Sequence, residues 1–432
     1  MPFGEVLFPR LMTVCTGPLS PLETVILNKA ERIEAWFHAR WQEMPAPMTS
    51  SVDLRYAGFK LAPVDTNLFP AGFNNLHPES LPLCSNAVRA VLLERMPTCR
   101  RVLILPESHT RNVFYLRSLC VMRDRFVEAG FLVRVGSLDP ELTVPIELQT
   151  EQGDSLWLEP LVRKGDRVGV VDFDPCLLVL NHDLSTGIPP ILEGLAQPIH
   201  PTSQLGWGTR LKSSHFSFFD QVADAFAREV ALDPWLINPL FCAVEGVDFM
   251  QQTGLDALAV AVDDVLARLR SRYHAHGIAE KPFVVVKADN GTYGMGVMTV
   301  HEGAEVLQLN RKQRTKMSAR KGSQKVTSVL IQEGVYSVET MPNGAVAEPV
   351  IYLIGPFVVG AFYRGHHARG PNESLNTPGM YFEPLAFDTP HFEPYGASLT
   401  VDSSNRFYVY GVIARLAALA AAWEIVAIGG KG

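Results

Sequence analysis

The residues best suited to chemistry surround a glycine-rich segment in the second half of the chain. Lys287 follows the apolar run Val284–Val286, and Gly291, Gly294 and Gly296 come within the next nine residues. Glycines let a backbone fold closely around an anion and present its N–H groups, and the lysine adds positive charge. The segment therefore predicts a phosphate-binding loop, although an ordinary glycine turn beside a solvated lysine has the same composition.

Three common phosphate loops do not fit this segment. It lacks the Gly-Lys-Ser/Thr sequence that ends a Walker loop. Residues 297–300 continue as a strand, whereas a dinucleotide-binding loop leads into a helix. A kinase loop carries its lysine after the glycines, and here Lys287 precedes them. A β-hairpin flap over nucleotide phosphates, with Lys287 on its first strand, is the arrangement that remains.

This flap resembles that of the ATP-grasp superfamily, with Ala288 where proline is usual. Lys212 matches the earlier lysine of that superfamily, and residues 329–335 resemble its hinge strand, which meets adenine and ribose. A surface lysine at a helix start and a plain buried strand end are the alternative interpretations of these two segments. The resemblance implies that ATP is bound by Lys212, Lys287, Gly291, Thr292, Tyr293, Gly294, Gly296, Gln332, Glu333 and Val335.

Two further segments resemble the catalytic part of that superfamily. Arg364 ends an apolar strand, like the arginine that meets the transferred phosphate, so the resemblance implies that Arg364 and Lys287 are catalytic. Asn376 and Glu373 resemble the acidic-plus-Asn motif that holds magnesium, with one extra residue between them, and the G-L-D-x-x-G strand that usually precedes this motif is missing. The implied cofactors are ATP and Mg²⁺, with Asn376 and Glu373 as the metal ligands.

The segment 45–82 is dense in Pro, Gly and Asn and is predicted to be largely loop. It holds many polar residues that a core has little reason to contain, and ordered loops of this kind commonly contact ligands. Residues 52–76, the flap and residues 362–380 together are similar to the proteobacterial type of glutamate–cysteine ligase, and the similarity covers essentially the whole chain. The substrate-binding residues it implies are Arg55, Lys60, Asp65, Asn67 and Asn74, with Arg55 expected to clamp a carboxylate.

The similarity implies that ATP activates the γ-carboxylate of glutamate as an acyl phosphate, which cysteine attacks to give γ-glutamylcysteine, ADP and phosphate. This is the first step of glutathione biosynthesis. Two alternatives stay open on the sequence: another ATP-grasp carboxylate–amine ligase, such as a glutathione synthetase, and a non-catalytic nucleotide-binding module. Arg364 together with Asn376 favours an enzyme over the module, because a mere binder has no need of γ-phosphate and metal groups.

The predicted secondary structure that carries these residues differs between the two halves of the chain. An N-terminal α/β domain is predicted for residues 1–205, with strands at 101–105, 131–135 and 176–181, a helix at 112–129, and the substrate-binding loop 52–76. An ATP-grasp module is predicted for residues 206–432, divided near residue 335 into a helical part and a phosphate and metal part. Its expected elements are helices at 213–230 and 254–274, a solvated basic loop at 311–325, two antiparallel strands within 347–364 and a closing core helix. The predicted fold class is therefore α/β and α+β, with a parallel sheet followed by antiparallel ones.

Composition excludes several classes of protein. The 432 residues are 47% hydrophobic and carry a net charge of −7, so neither disorder nor a general nucleic-acid binder is expected. The most apolar stretch, 411–428, is interrupted by Arg415 and Glu424, so no membrane partner is expected either. The start of the sequence shows no secretory signal, and the six cysteines are scattered singly, as is typical of a cytoplasmic enzyme. The expected partners are small-molecule substrates, and the oligomeric state is left open.

Overall fold

A computed structural model describes residues 7–107, 112–150, 153–290, 295–318, 326–394 and 405–429. The strands are β1 Leu7–Leu11, β2 Thr49–Tyr56, β3 Leu61–Asn67, β4 Arg101–Pro106, β5 Leu132–Ser137, β6 Ile146–Gln149, β7 Ser155–Pro160, β8 Val162–Lys164, β9 Arg167–Gly169, β10 Leu177–Asn181, β11 Ile199–His200, β12 Phe241–Glu245, β13 Val284–Ala288, β14 Val297–Val300, β15 Ser328–Glu333, β16 Val346–Ile354, β17 Phe357–His366, β18 Tyr381–Pro384 and β19 Phe387–Pro394. The α-helices are α1 Pro21–Leu27, α2 Ala30–Glu43, α3 Ser80–Arg95, α4 Val113–Glu128, α5 Lys212–Val230, α6 Leu255–Ala275, α7 Ala304–Leu307, α8 Arg311–Ser318 and α9 Arg406–Ala427.

The first sheet is mainly parallel and has six strands in the order β11-β10-β4-β5-β7-β6. β4 pairs in parallel with both β5 and β10, and only β6 runs antiparallel to its neighbour. Helix α4 connects β4 to β5, and its N-cap Asn112 accepts bonds from the N–H groups of Phe114 and Tyr115. The predicted β-α-β unit and its parallel pairing are confirmed.

The second sheet has five antiparallel strands in the order β18-β17-β16-β2-β3. The prediction of a loop was therefore wrong for residues 49–56 and 61–67, which form a β-hairpin. Within β2 the alternate residues Val52 and Leu54 are completely buried, which provides the apolar face of a strand. The sheet also joins strands from both sides of residue 205, so the predicted domain boundary crosses a hydrogen-bonded sheet and stays a prediction only.

The third sheet carries the predicted flap. Its four strands are antiparallel in the order β12-β15-β13-β14, so β13 and β14 form a hairpin and β14 is an edge strand. Gly296, at the start of the second flap strand, has φ +61°, a conformation that glycine adopts without strain. The predicted tip residues Gly291, Thr292, Tyr293 and Gly294 lie outside the described residues.

The basic segment is helical where it is described. Residues 311–318 form α8, with Met317 buried, and the prediction of a loop was wrong for them. Arg, Lys, Gln and Met are good helix formers, which outweighs the high charge of this stretch. Residues 319–325 lie outside the described part of the chain.

Helix α9 is the centre of the core. It is long and apolar enough to cross a membrane, but 89% of its most apolar stretch is buried inside the protein, where it packs on α5. Its charged residues are paired: Arg415 binds Glu34, and Glu424 binds Arg210. The prediction of a terminal core helix is confirmed.

Candidate active site

A charged cleft of about 780 Å³, counted with the solvent at its mouth, lies between the third and second sheets. The third sheet and the start of α5 contribute Lys212, Val285, Lys287, Ala288, Val297, Gln332 and Glu333, with Met295 and Val335 from adjoining turns. The second sheet contributes Asp53, Arg55, Val64, Asp65, Glu348 and Arg364, with Ser374 and Asn376 from the segment after β17. The cleft therefore collects residues that lie far apart in the sequence, from Asp53 to Asn376.

The two predicted lysines lie together in this cleft. Lys212 Nζ is 2.5 Å from Asp65 Oδ1, and Lys287 Nζ donates to Val64 O and Gln332 Oε1, both at 2.7 Å. Burial, together with the positive charge of Lys212, lowers the pKa of Lys287 to about 7. An anion placed between the two ammonium groups would reverse this shift.

Asp289 holds the two lysines in position. This buried residue follows the first flap strand, and its carboxylate accepts bonds from Ser213 N at 2.7 Å and Ser213 Oγ at 2.6 Å. Its carbonyl oxygen accepts a bond from Lys212 N. The start of α5, which bears Lys212, is thereby fixed to the end of the strand that bears Lys287. The sequence motif contained Asp289, but nothing in the motif indicated this role.

The predicted hinge residues lie at the end of β15. Gln332 bonds to Lys287, and Val335 lines the cleft. Glu333 also lines it, but its Oε2 accepts bonds from Lys60 Nζ at 2.9 Å and Trp235 Nε1 at 3.2 Å. Its other oxygen, Oε1, is buried with no hydrogen-bond partner among the described residues.

Arg364 is held by two carboxylates on the floor of the cleft. One of its terminal nitrogens lies 2.7 Å from Asp53 Oδ2 and 2.6 Å from Glu348 Oε1. Burial opposes the charged form of Arg364, but these carboxylates outweigh it and raise the pKa. Its Nε is buried and has no hydrogen-bond partner among the described atoms.

Arg55 is already bonded to the protein on several sides. Its Nε donates to Glu348 Oε2 at 2.8 Å, and its terminal nitrogens donate to the carbonyl oxygens of Val335, Pro371 and Glu373. It therefore ties the hinge to the segment after β17, and its predicted role as a substrate carboxylate clamp stays a prediction.

The other predicted substrate residues are divided between the cleft and the surrounding structure. Asp65 lines the cleft; partial burial opposes its ionisation, but Lys212 and Lys287 outweigh this and lower its pKa to about 2. Lys60 is fully buried against Glu333 and the ring of Trp235. Asn67 caps a local turn, accepting from Phe69 N, and Asn74 bonds to Asn75. Lys60, Asn67 and Asn74 are not among the residues lining the cleft.

Oxygen ligands for a divalent cation are present, but not in the predicted set. Asn376 lines the cleft, whereas the carboxylate of Glu373 bonds to Arg369 and to Gly370 N outside it. Asp53 and Asp65 face each other across β2 and β3 as register partners. Partial burial raises the pKa of Asp53, and Glu348 and Asp65 raise it further while Arg364 lowers it. Such crowded carboxylates suit Mg²⁺, which prefers oxygen ligands.

Sequence reasoning assigned no site role to Asp53 or Glu348, although Asp53 belongs to the polar segment 45–82 that is expected to contact ligands. The alternation of Asp53 and Arg55 with the apolar residues 52 and 54 was the available signal, because every second side chain of a strand shares one face. A separate group formed by Glu107, His182 and Asp183 has donor atoms within 4.8 Å of one another. It lies at the ends of β4 and β10 and is not part of the cleft lining.

Comparison with known proteins gives matches that span nearly the whole chain. The family model described as GshA: Glutamate-cysteine ligase matches residues 23–425. Among solved structures, a protein of Methylobacillus flagellatus KT, provisionally assigned as a gamma-glutamylcysteine synthetase, is 50% identical with a TM-score of 0.86, over 98% of this chain and 100% of that one. No match was found among curated proteins.

Two other solved structures are much more distant. D-alanyl-alanine synthetase A from Vibrio cholerae O1 biovar eltor is 11% identical with a TM-score of 0.33, over 73% of this chain and 80% of that one. A glutathione synthetase-like effector from Globodera pallida is 11% identical with a TM-score of 0.35, over 87% of this chain and 84% of that one. Likenesses of this size carry no argument about the site.

Proposed function

Because the chain belongs to the glutamate–cysteine ligase family, we propose that the charged cleft is where ATP activates glutamate for the attack of cysteine. The activity itself is ATP-dependent ligation of glutamate to cysteine, the first step of glutathione synthesis. The observation that supports the cleft as its location is the pairing of Lys212 and Lys287 opposite the carboxylates of Asp53, Asp65 and Glu348.

The chemistry of this ligation needs charge and alignment more than a protein nucleophile. An oxygen of the glutamate γ-carboxylate attacks the γ-phosphorus of ATP, and ADP leaves. The amine of cysteine then attacks the acyl carbon, the bond to the phosphate oxygen breaks, and the amine loses a proton as phosphate leaves. Catalysis of such phosphoryl transfer is mostly positioning and electrostatic stabilisation.

In this proposal the two lysines bind the phosphates of ATP. Lys212 is paired with Asp65, and Lys287 bonds to two neutral oxygens. When ATP binds, both lysines exchange these partners for the negatively charged phosphates. The nucleotide lies in an ATP-grasp arrangement between the two antiparallel sheets, with its base and ribose beside residues 332–335. The orphaned buried oxygen of Glu333 offers an acceptor there.

Mg²⁺ fits the oxygen-rich floor of the cleft. Asp53, Asp65 and Asn376 would hold it, and when bound it would neutralise charge on the phosphates. Arg364, kept rigid by Asp53 and Glu348, then meets the transferred phosphoryl group with its remaining donors. Glutamate binds with its γ-carboxylate facing that group.

The proposed cellular location is the cytoplasm. All six cysteines carry free thiols, which supports a reducing compartment.

A substrate panel tests the proposed function directly. Phosphate release from ATP and Mg²⁺ is expected with glutamate plus cysteine, and not with γ-glutamylcysteine plus glycine, the pair that a glutathione synthetase uses. Product identification by mass spectrometry completes the measurement. Phosphate release with γ-glutamylcysteine plus glycine, and none with glutamate plus cysteine, would contradict the proposal and support the glutathione synthetase alternative.

A further inference from the structure

A second cavity lies beside the edge strand β14 of the flap. It measures about 1170 Å³ with the solvent at its mouth, compared with about 780 Å³ for the cleft. Its walls are β14, the segment of α7 and α8, and residues 369–377. Val297 and Ser374 line both spaces, so the two adjoin at these residues. We call this second space the flap cavity.

The lining of the flap cavity is suited to a small amino acid. It carries two cationic side chains, Lys316 and Arg369, and two carboxylates, Glu305 and Glu373. Its apolar part consists of Val297, Met298, Val300, Leu309 and Met317. Concave sites that combine apolar walls with a few charged groups are typical of small-molecule binding. A zwitterion with a short, weakly polar side chain matches this combination, and two thioethers make a soft contact surface for a thiol.

Arg369 is oriented by its neighbours in the segment after β17. Its Nη1 donates to Glu373 Oε1 at 2.9 Å, and its Nε donates to Thr377 Oγ1 at 3.3 Å. Glu373 Oε2 accepts a bond from Gly370 N, and this bond together with Arg369 lowers the pKa of Glu373. A guanidinium has five N–H donors, so Arg369 held in this way can still bind a carboxylate.

The wall between the two spaces is fixed to both sheets. Arg55, on the second sheet, donates to the carbonyl oxygens of Pro371 and Glu373. Thr299, on β14, donates to Asn372 O at 3.3 Å. A molecule in the flap cavity therefore has a defined position relative to the phosphate site.

We propose that the flap cavity binds the acceptor substrate cysteine, with Arg369 and Lys316 holding its carboxylate. This inference rests on the proposed function of the cleft, because glutamate must occupy the cleft with its γ-carboxylate at the γ-phosphate. The cysteine amine attacks the acyl carbon where the two spaces adjoin, beside Val297 and Ser374. The C–N bond forms, the bond to phosphate breaks, and the amine releases a proton to solvent.

Steady-state kinetics of Arg369→Gln test the proposal. Loss of a charge-assisted carboxylate contact is expected to raise the KM for cysteine by about tenfold or more. The KM values for ATP and glutamate stay within about twofold, since neither contacts Arg369. Lys316→Gln raises the cysteine KM less, and the matched control Lys312→Gln, on the same helix but outside the cavity lining, leaves it unchanged.

A second measurement separates a binding defect from a structural one. Hydroxylamine replaces cysteine as the amine and has no carboxylate, so Arg369→Gln is expected to form γ-glutamylhydroxamate at the wild-type rate. An unchanged cysteine KM, or a parallel loss of hydroxamate formation, overturns the assignment of the flap cavity. Failure of the wild-type enzyme to form hydroxamate from ATP and glutamate overturns the proposed function of the cleft itself.

Discussion

Buried charges occur in two regions of the molecule and are balanced differently in each. Around α9, Arg210 bonds to both oxygens of Glu424 at 2.9 Å, and Arg415 bonds to both oxygens of Glu34 at 2.6 and 2.8 Å. In the cleft, Lys287 bonds only to neutral oxygens in the described structure. The two ion pairs around α9 therefore satisfy each charge with a matched partner, whereas Lys287 in the cleft has no carboxylate partner among the described residues and is available to a ligand.

The pKa values of the two regions express the same difference. Burial opposes ionisation of Glu424, but Arg210 outweighs it and lowers the pKa to about 2, so this pair keeps its charges. Burial lowers the pKa of Lys287 to about 7, with Lys212 adding to the shift, and partial burial raises the pKa of Asp53. Charges that the fold does not stabilise are the ones available to bind an anion or a cation.

Breaking a core pair is expected to give the largest effect on stability. Glu424→Ala leaves Arg210 and His215 buried without their carboxylate and should lower the free energy of unfolding by about 3–5 kcal/mol. Urea denaturation followed by circular dichroism measures this, with Glu94→Ala on the exposed side of α3 as the control. A loss below about 1 kcal/mol, within the range of exposed ion pairs, would show that the core pair is no better matched than a surface one.

Removing Lys287 from the cleft, unlike breaking a core pair, should reduce activity while leaving stability intact. Lys287→Met removes preorganised charge from the reaction centre and is expected to lower turnover about 10²–10³-fold, or roughly 3–4 kcal/mol. It also removes a desolvated cation, so the unfolding midpoint should stay the same or rise. Kinetics and denaturation of this variant, with the exposed Lys281→Met as control, give both values. Near-normal ATP affinity and turnover would contradict the assignment of the flap.

ATP binding is expected to depend on pH through Lys287. Free Lys287 loses its proton as the pH rises through about 7, whereas Lys287 beside bound phosphates keeps it. ATP binding above pH 7 therefore takes up a proton, and affinity should fall by up to about tenfold per pH unit. Calorimetry in buffers of different ionisation enthalpy detects the proton. Lys287→Met should abolish both the uptake and the decline, and persistence of either would assign them to another group.

The lowered pKa of Lys287 changes protein stability with pH in the direction opposite to its effect on ATP affinity. The folded pKa of Lys287 lies below its value of 10.5 in the unfolded chain, so between pH 7 and 10.5 the unfolded state binds more protons. This residue therefore makes the protein more stable as the pH rises through that window.

The local elements could be predicted from the sequence because their signals are local. Strand β4, helix α4 and the flap strands each carry their own periodicity or punctuation. The hairpin of β2 and β3 was missed because its partner is β16, where Val350 pairs with Asp53 across almost 300 residues. Prolines and glycines near the ends of that hairpin favoured the prediction of a loop, although apolar and polar residues alternate within β2.

The candidate site, like the fold, could be predicted only where its residues belong to a local sequence motif. Lys212 and Lys287 were found from short motifs, and the structure brings them together. Glu348 becomes a neighbour of Asp53 and Arg55 only through the pairing of β2 with β16, which no motif records. The motif at residues 373–376 has an extra residue, and in the structure its two predicted ligands point to different spaces.

The smallest expected effect separates those two residues. Glu373 pairs with Arg369 as a partly exposed i,i+4 ion pair, so Glu373→Gln should change the free energy of unfolding by less than about 0.5 kcal/mol. It should also leave unchanged the Mg²⁺ concentration that gives half-maximal activity. Asn376→Ala, which removes an oxygen from the cleft, should raise that concentration by at least the roughly tenfold that loss of an outer-shell partner causes. Activity of both variants measured against Mg²⁺ concentration tests these two expectations. If Glu373→Gln raised the half-maximal Mg²⁺ concentration as much as Asn376→Ala, the metal would lie at the boundary of the two spaces.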